Sequence, residues 1–364
     1  MGKIALLVPA HNEEKVIGMC LVSLLNEASA EDIYVVNDGS EDQTETEAKK
    51  HTQNVLTLTR SGKASALSEA IGYFHLADRY DFIMPFDADT KISDGFLEEI
   101  IEIFTLDVDS KIAAVAGKVV GTDFNWVTTY RAWEYEIAQT IHKEAQSVIN
   151  AIIVCPGCAT VFRSRVFKNM GHPKGTLTED MDLTFLIHRK KLGKIVFTQN
   201  SYVLTQDPRT IRELLKQIDR WYLGFWQCLV KHNIPWGGQI LDLEVALLAS
   251  EGLFNGLLVI AFLLFLPFIA IRNPLFIAVP LALDFILFLV PTLLIAYKKT
   301  KFKKLFIYIP QFYFLRVLGS MIFFRSFLKI VVGIDLSMSK LWNMSRYKLT
   351  TEGKEEVWLN PSLQ

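Results

Sequence analysis

Three short constellations in this 364-residue chain combine residue types that could do chemistry together. Phe86-Asp87-Ala88-Asp89 sets two carboxylates one residue apart, a donor set that suits a hard divalent cation also bound to phosphate oxygens. Thr178-Glu179-Asp180-Met181-Asp182 offers adjacent carboxylates, one of which could take a proton from a hydroxyl group as a general base. Gln217-Ile218-Asp219-Arg220-Trp221 combines a guanidinium that can grip an anion bidentately with an indole face that can carry an apolar ring face. The last of these precedes a strongly apolar stretch, so the set as a whole points to group transfer beside a membrane.

The elements that must position these residues alternate between strand and helix. Ile4 to Val8 reads as a buried strand, and the loop from Pro9 opens a helix through about Glu27 with Asn12 as its N-cap. Further strands are predicted at Ile33 to Val36, Val55 to Thr59 and Phe82 to Phe86, with helices at Glu41 to His51 and from Lys63 to Phe74. This alternation predicts a mostly parallel sheet, whose ligands gather at the carboxyl ends of the strands. Asp38, Asp87 and Asp89 all fall there. Read one at a time, Asp38-Gly39 is also a turn, Ser61-Gly62-Lys63 a polar helix start, and Glu179-Asp180 an acidic first turn favoured by the helix dipole. Ser61-Gly62-Lys63 lacks the spacing of a phosphate-binding P-loop, which excludes that ATPase class.

Composition narrows the field. The chain is 51% hydrophobic and 21% charged with a formal net charge of -1, and its mean hydropathy lies above zero. Balanced charge argues against nucleic acid as a partner. The apolar excess sits at 243 to 333. Cys155-Pro156-Gly157-Cys158 has the C-x-x-C spacing of redox and zinc sites, but a zinc site needs two further ligands, and Cys20 and Cys228 stand isolated.

From residue 4 to about 226 the chain resembles the catalytic domain of the family-2 glycosyltransferases of GT-A fold. Within them it is most similar to the membrane-embedded branch that includes cellulose, hyaluronan and poly-N-acetylglucosamine synthases. The resemblance rests on VPAHNEE at 8 to 14, VNDGS at 36 to 40, GKASAL at 62 to 67, FDAD at 86 to 89, CPGCATVFR at 155 to 163, TEDMDLT at 178 to 184 and QIDRW at 217 to 221. It implies an α/β GT-A domain with a mostly parallel sheet, followed by transmembrane and interfacial helices.

By this resemblance Glu13 and Asp38 hold the uridine base and ribose of a UDP-sugar, and Lys63 lies near the nucleotide. Asp89, helped by Asp87, holds a Mg2+ or Mn2+ ion on the diphosphate, stabilising the departing group as charge builds on it. Asp180 is the catalytic base of an inverting displacement, Glu179 orients the acceptor or a neighbouring group, and Asp182 caps the following helix. Gly157 and Cys158 lie near the acceptor, the cysteine at a position that is small in related synthases. Gln217 and Trp221 serve the acceptor and Arg220 the diphosphate, on a helix predicted from about Thr210 to His232 that also reads as an amphipathic surface helix. Trp126, Tyr130, Trp133 and Tyr135 decorate a helix predicted at 124 to 149, where packing is favoured over a sugar platform.

In the last third, Leu243 to Ile271 and Pro274 to Tyr297 are each long enough to span a bilayer, with Glu244 and Glu251 moving the first span's start toward Gly252. The turn at Arg272-Asn273-Pro274 separates them, and the lysine cluster from Lys298 to Lys304 returns the chain to the cytoplasm. Arg316 and Arg325 interrupt the run at 305 to 333, where an interfacial helix is favoured over a third span, and Asp284 inside the second span calls for a polar partner or a function. The first apolar run is too short for a signal peptide, which keeps the first domain cytoplasmic. The expected layout is therefore a cytoplasmic domain at 1–235 that includes the QIDRW helix, a membrane region at 243–333 and a polar tail at 334–364. Such a protein sits in the plasma or inner membrane. With no N-terminal spans, it calls for a homo-oligomer or partner subunit to line a channel.

The expected activity is inverting transfer from a UDP-sugar to a growing β-linked glycan among membrane lipids, with transfer of one sugar to a lipid acceptor as the alternative. A scaffold without catalysis would have lost a ligand or base, yet Asp87, Asp89, Asp180 and Arg220 are all present. No internal repeat of apolar segments supports a transporter.

Overall fold

The computed structural model describes residues 2–168, 171–273 and 275–334. Apolar runs form the expected first strands: β1 (Ile4–Ala10) is buried at every position except the partly covered Pro9, as a strand with both faces covered must be. It leads through α1 (Ile17–Leu25), β2 (Ile33–Asp38), α2 (Thr44–Ala48), β3 (Val55–Leu58), α3 (Lys63–Tyr73) and the single turn α4 (Leu76–Arg79) to β4 (Phe82–Pro85). The chain continues as β5 (Thr90–Ile92), α5 (Phe96–Leu106), β6 (Ile112–Val120), α6 (Trp126–Ile137), α7 (Glu144–Val148), β7 (Thr160–Arg163), α8 (Glu179–Arg189) and β8 (Lys194–Thr205). Between α6 and α7 the predicted helix continues through a π-helical stretch, Ala138–Lys143.

Among the described residues, eight strands form one sheet in the order β3-β2-β1-β4-β7-β6-β8-β5. The β3-β2-β1-β4 half is parallel, as the strand and helix alternation predicts, while β7 runs antiparallel to both β4 and β6, so the whole is a mixed α/β sheet. Ala66, Leu67 and Ile71 of α3 and Leu183 and Ile187 of α8 join one apolar core with Leu7, Val36 and Ile83 from the strands. The first residues of these two helices, Lys63 and Glu179, meet at 3.0 Å.

The chain divides into two compact units. The first comprises 2–120 and 139–206 and holds the sheet; the second takes 121–138 together with 207–334, so α6 and the QIDRW helix belong with the C-terminal helices. In the second unit α9 (Ile211–Lys231) is followed by α10 (Ile240–Arg272), α11 (Leu275–Asp284), α12 (Val290–Thr300) and α13 (Ile309–Phe327). Both α6 and α9 begin at capping boxes, Asn125 with Thr128 and Thr210 with Glu213, which satisfy the first free N–H groups of each helix. Tyr130, Trp133, Ile218, Leu293, Phe312 and Leu315 share this unit's core.

Two helical stretches, Ile240–Phe265 and Ala278–Thr300, are long and apolar enough to cross a membrane, and only 11% and 17% of their most apolar windows are buried. That exposure removes the alternative of two apolar helices hidden in a soluble core. Asp284 has its polar partner: Arg316 of α13 grips both carboxylate oxygens at 2.9 Å, and Tyr313 donates at 2.7 Å. Arg325 pairs with Asp219 of the QIDRW segment. The two arginines that interrupt the run at 305 to 333 are therefore ties between helices. Pro274 and the tail from 335 onward lie outside the described residues.

α10 approaches α13 closely at two glycines. A Cβ on Gly256 would stand 2.9 Å from the Phe324 Cβ and 3.2 Å from the Ser320 carbonyl oxygen, which cannot swing aside. Gly256→Ala is expected to destabilise the protein by about 1–3 kcal/mol. Gly72→Ala on α3, where a Cβ meets nothing within 4 Å, is expected to be neutral or mildly stabilising. Thermal unfolding of both variants in one detergent tests the contrast.

Candidate active site

The site begins in the loops that leave β1 and β2. Asn12 has φ +57° and does not cap α1, which starts five residues later. Its side chain accepts the Glu41 N–H at 2.9 Å and its own N–H donates to Ser40 Oγ at 3.0 Å, so it fastens the two loops to each other. Glu13 is buried beside it, its N–H donating to Thr44 Oγ1 at 2.7 Å. Asp38, the last residue of β2, accepts hydrogen bonds from the Ser61 N–H at 2.6 Å, the Ser61 hydroxyl at 3.1 Å and the Gly62 N–H at 2.8 Å. It thus fixes the start of α3. Gly39 follows at φ +65°, with the Arg60 backbone nitrogen 2.8 Å from where a Cβ would stand, so only glycine fits between the loops.

With its start held, α3 presents Lys63 as its first residue. The ammonium lies 2.6 Å from Asp87 Oδ1 and 3.0 Å from Glu179 Oε1. A lysine at a helix N-terminus opposes the helix dipole, and two carboxylates offset that cost. Burial raises the Glu179 carboxyl, but Lys63 more than reverses this and holds it down to about 2. Burial likewise opposes the charge on Lys63, and Asp87 and then Glu179 raise it well above the usual lysine range. Glu179 is committed to an ion pair at neutral pH.

Asp180 follows in the first turn of α8, its Oδ1 accepting the Met181 N–H at 2.8 Å. Gly157 lies against it: a Cβ there would be 3.7 Å from the Asp180 Cβ and 3.4 Å from Lys63 Nζ. The CPGC loop is tied to the same helix, because the Cys155 N–H donates to Thr184 Oγ1 at 2.9 Å and that hydroxyl donates to the Asp180 carbonyl at 2.7 Å. Asp182 does not cap α8. It is fully buried inside the helix and accepts the Thr176 hydroxyl at 3.0 Å, which fastens the preceding loop.

Negative charge accumulates at this edge of the sheet. Burial raises the Cys20 thiol, and Asp89, Asp87 and Glu13 raise it further; burial raises Cys158 too, followed by Asp87. Both thiols therefore feel the Asp87 and Asp89 carboxylates, which gather on one locality. No cluster of three or more His, Cys, Asp or Glu stands ready to bind a metal among the described residues. Two hard carboxylates fit a cation whose remaining ligands are diphosphate oxygens and water. The four cysteines are free thiols and buried. Burial pushes Cys155 up to about 12, which disfavours the thiolate that dithiol exchange would need.

Gln217 and Trp221 lie on α9 of the second unit with Arg220 between them. The sequence reading missed Arg131. Its guanidinium, 3% exposed, is layered between the Trp221 ring at 4.6 Å and the Tyr135 ring at 4.5 Å, and Glu134 pairs with one end. The four-residue spacing to Tyr135 on one helix face was the available signal. Tyr130 and Trp133 pack against Phe312, so packing holds for these two aromatics. His172 was also missed: it is buried ahead of α8, with Nδ1 lacking a hydrogen-bond partner, and burial lowers it to about 4.

A family model described as glycosyltransferase like family 2 matches residues 2–224. The hyaluronan synthase of Streptococcus pyogenes is 26% identical over 250 residues, covering 62% of this chain and 57% of its own length. The uncharacterized glycosyltransferase YaiP of Escherichia coli (strain K12) is 27% identical over 242 residues, covering 64% of this chain and 59% of its own. The chain thus spans less than two thirds of the length of these curated relatives. Among solved structures, the mannosyltransferase PcManGT from Pyrobaculum calidifontis, in complex with GDP-Man and Mn2+, superposes with a TM-score of 0.62 at 15% identity, covering 87% of this chain and 86% of its own. At that identity the likeness establishes the GT-A fold.

Two outcomes are expected from this geometry. Iodoacetamide at pH 8 should leave Cys155 and Cys158 unlabelled in the native protein and label both after denaturation, as read by peptide mass mapping. Arg131→Ala should destabilise the protein by about 2 kcal/mol through loss of two ring contacts, and Arg131→Lys should recover little of it, because a point charge stacks poorly. Thermal unfolding of the pair reads this out.

Proposed function

The chain belongs to glycosyltransferase family 2, and from that premise we propose that it transfers a sugar from a UDP-sugar to a growing β-linked glycan at a membrane, by a single inverting displacement. The observation that carries this reading is the meeting of Lys63, Asp87 and Glu179 at the carboxyl edge of the parallel strands, with Asp180 next in line. An ammonium among carboxylates at the start of a helix suits a phosphate and a divalent cation together.

Asp87 and Asp89 would hold Mg2+ or Mn2+, whose bound charge would stabilise the leaving diphosphate. Glu13 and Asp38 would serve the nucleoside end. Asp38 also accepts the Ser61 and Gly62 N–H groups, so the same carboxylate fixes the loop that places Lys63. Asp180 accepts the proton of the acceptor hydroxyl as that oxygen attacks the anomeric carbon. Glu179 is a poor candidate for that proton, since its ion pair with Lys63 lowers its basicity. With one base and one displacement, an α-linked donor gives a β-linked product. Gly157 keeps the space beside the base clear, with Cys158 behind it. Trp221, fixed by Arg131, offers a ring face to an acceptor sugar, Gln217 an amide, and Arg220 a guanidinium for phosphate.

The membrane setting is supported by the two exposed apolar helices and the ion pairs among them. On this reading the catalytic unit is cytoplasmic, lipids are partners, and a polymer path would be completed by a second copy or another subunit. The competing product, one sugar on a lipid, uses the same donor site and separates only by product length.

Release of UDP by the full chain in lipid, with Mg2+ or Mn2+, tests the proposal across UDP-glucose, UDP-N-acetylglucosamine and UDP-glucuronate. GDP-mannose, the donor bound by the solved mannosyltransferase, is the counter-arm. Asp180→Asn is expected to cut turnover about 10²- to 10⁴-fold while leaving donor binding intact. Sizing the product distinguishes polymer from glycolipid. Turnover that survives in Asp180→Asn would remove the base assignment.

A further inference from the structure

Lys63 stands where the proposed metal has to act. Its ammonium is 2.6 Å from Asp87 Oδ1, a full ion-pair contact with one of the two carboxylates assigned to the cation. An ammonium and a divalent ion repel at such range, so Lys63 in contact with that oxygen opposes metal binding there. Lys63 also has a second seat already in reach, because Glu179 Oε1 lies 3.0 Å from the same nitrogen. The backbone beneath Lys63 is fixed by the bonds from Asp38 to Ser61 and Gly62, so only the side chain is free to exchange partners. Room for that exchange exists because Gly157 carries no side chain, and a Cβ there would sit 3.4 Å from Nζ.

We propose that Lys63 is the internal counter-ion of the unloaded donor site. It neutralises Asp87 until a nucleoside diphosphate arrives, and then turns toward Glu179 and the diphosphate oxygens, freeing Asp87 for the divalent ion. Glu179 is in this scheme a positioning residue for Lys63. The consequence is strong coupling between metal and nucleotide: the site takes up little metal alone, and by linkage each ligand strengthens the other by the same factor. The proposal rests on the assignment of Asp87 and Asp89 to the metal.

The test is Mn2+ binding by the full chain in detergent, followed through the electron paramagnetic resonance signal of free Mn2+, with and without UDP. The wild type is expected to bind Mn2+ weakly alone and about tenfold or more tighter with UDP. Lys63→Met is expected to raise the nucleotide-free affinity about tenfold and to shrink the gain from UDP. Lys63→Arg, which keeps the ion pair, should stay near wild type. Lys63→Met combined with Glu179→Gln leaves no unpaired buried carboxylate at position 179, and it should show the same raised affinity if the single variant folds poorly. Lys91→Met, two residues beyond Asp89, controls for general loss of positive charge and should change the affinity less than about twofold. The proposal is overturned if Lys63→Met binds Mn2+ no better than wild type, or if Lys91→Met raises affinity equally. Asp89→Asn separates the two levels of argument. If it binds Mn2+ as wild type does, the metal assignment fails and this inference with it; if it loses Mn2+ while Lys63→Met is unchanged, only the inference falls.

Discussion

A half-buried ammonium between two carboxylates is neutralised where it sits, and in this protein that contact brings three chain segments together. Lys63 comes from the start of α3, Asp87 from the loop after β4 and Glu179 from the start of α8. Of the three, Glu179 is the most covered, so losing Lys63 would weigh most on that carboxylate, while water still reaches Lys63 and Asp87. The surrounding bonds serve this trio. Asp38 sets the helix start beneath Lys63, Asp182 fastens the loop ahead of Glu179, and Thr184 ties the CPGC loop to the Asp180 carbonyl. Polar groups that look redundant in the sequence are thus the supports of one charged centre.

The second unit meets the same constraint in apolar surroundings. Asp284 would be among the most expensive residues of an exposed apolar helix if it stood alone. Arg316 and Tyr313 complete its hydrogen bonding, and Arg325 does the same for Asp219. Both arginines lie on α13, so the charge that interrupts its apolar run is paired with carboxylates of neighbouring helices. Gly252 and Gly256 let α10 come close to the same helix, so packing and ion pairing act on one seam.

What the sequence made legible follows from how far each signal reaches. The predicted strands, the acidic first turn at Glu179-Asp180 and the helix that carries Trp221 depend on neighbours within a few residues, and all are found. Misjudged residues had partners in neighbouring loops. Asn12 reads as a cap because an Asn before a helix usually is one, yet its acceptor bonds Glu41 in another loop. Asp182 reads as a cap for a similar reason, and Thr176 claims it. The pairing of Lys63 with Glu179 crosses more than a hundred residues, and no local spacing encodes it. Arg131 was hidden differently: its aromatic neighbours read as packing, which is true of Tyr130 and Trp133, and the cation between two rings adds a polar element that composition cannot separate from the core.

The charge pattern bears on what the donor site can accept. Asp87, Asp89, Glu179 and Asp180 gather on one edge, with Lys63 in contact with two of them and Lys143 near enough to feel Asp180. A bare diphosphate entering that field would meet net repulsion, and a bare divalent ion would compete with a lysine already in contact. A diphosphate that carries its metal avoids both costs, since its charge is largely neutralised and its oxygens offer Lys63 a new partner. Burial is the main reason the Cys20 and Cys158 thiols are raised, and the same carboxylates raise them further. On the proposed reading, the acidic edge selects the complex over either component, and the commitment of Glu179 to Lys63 leaves Asp180 as the base.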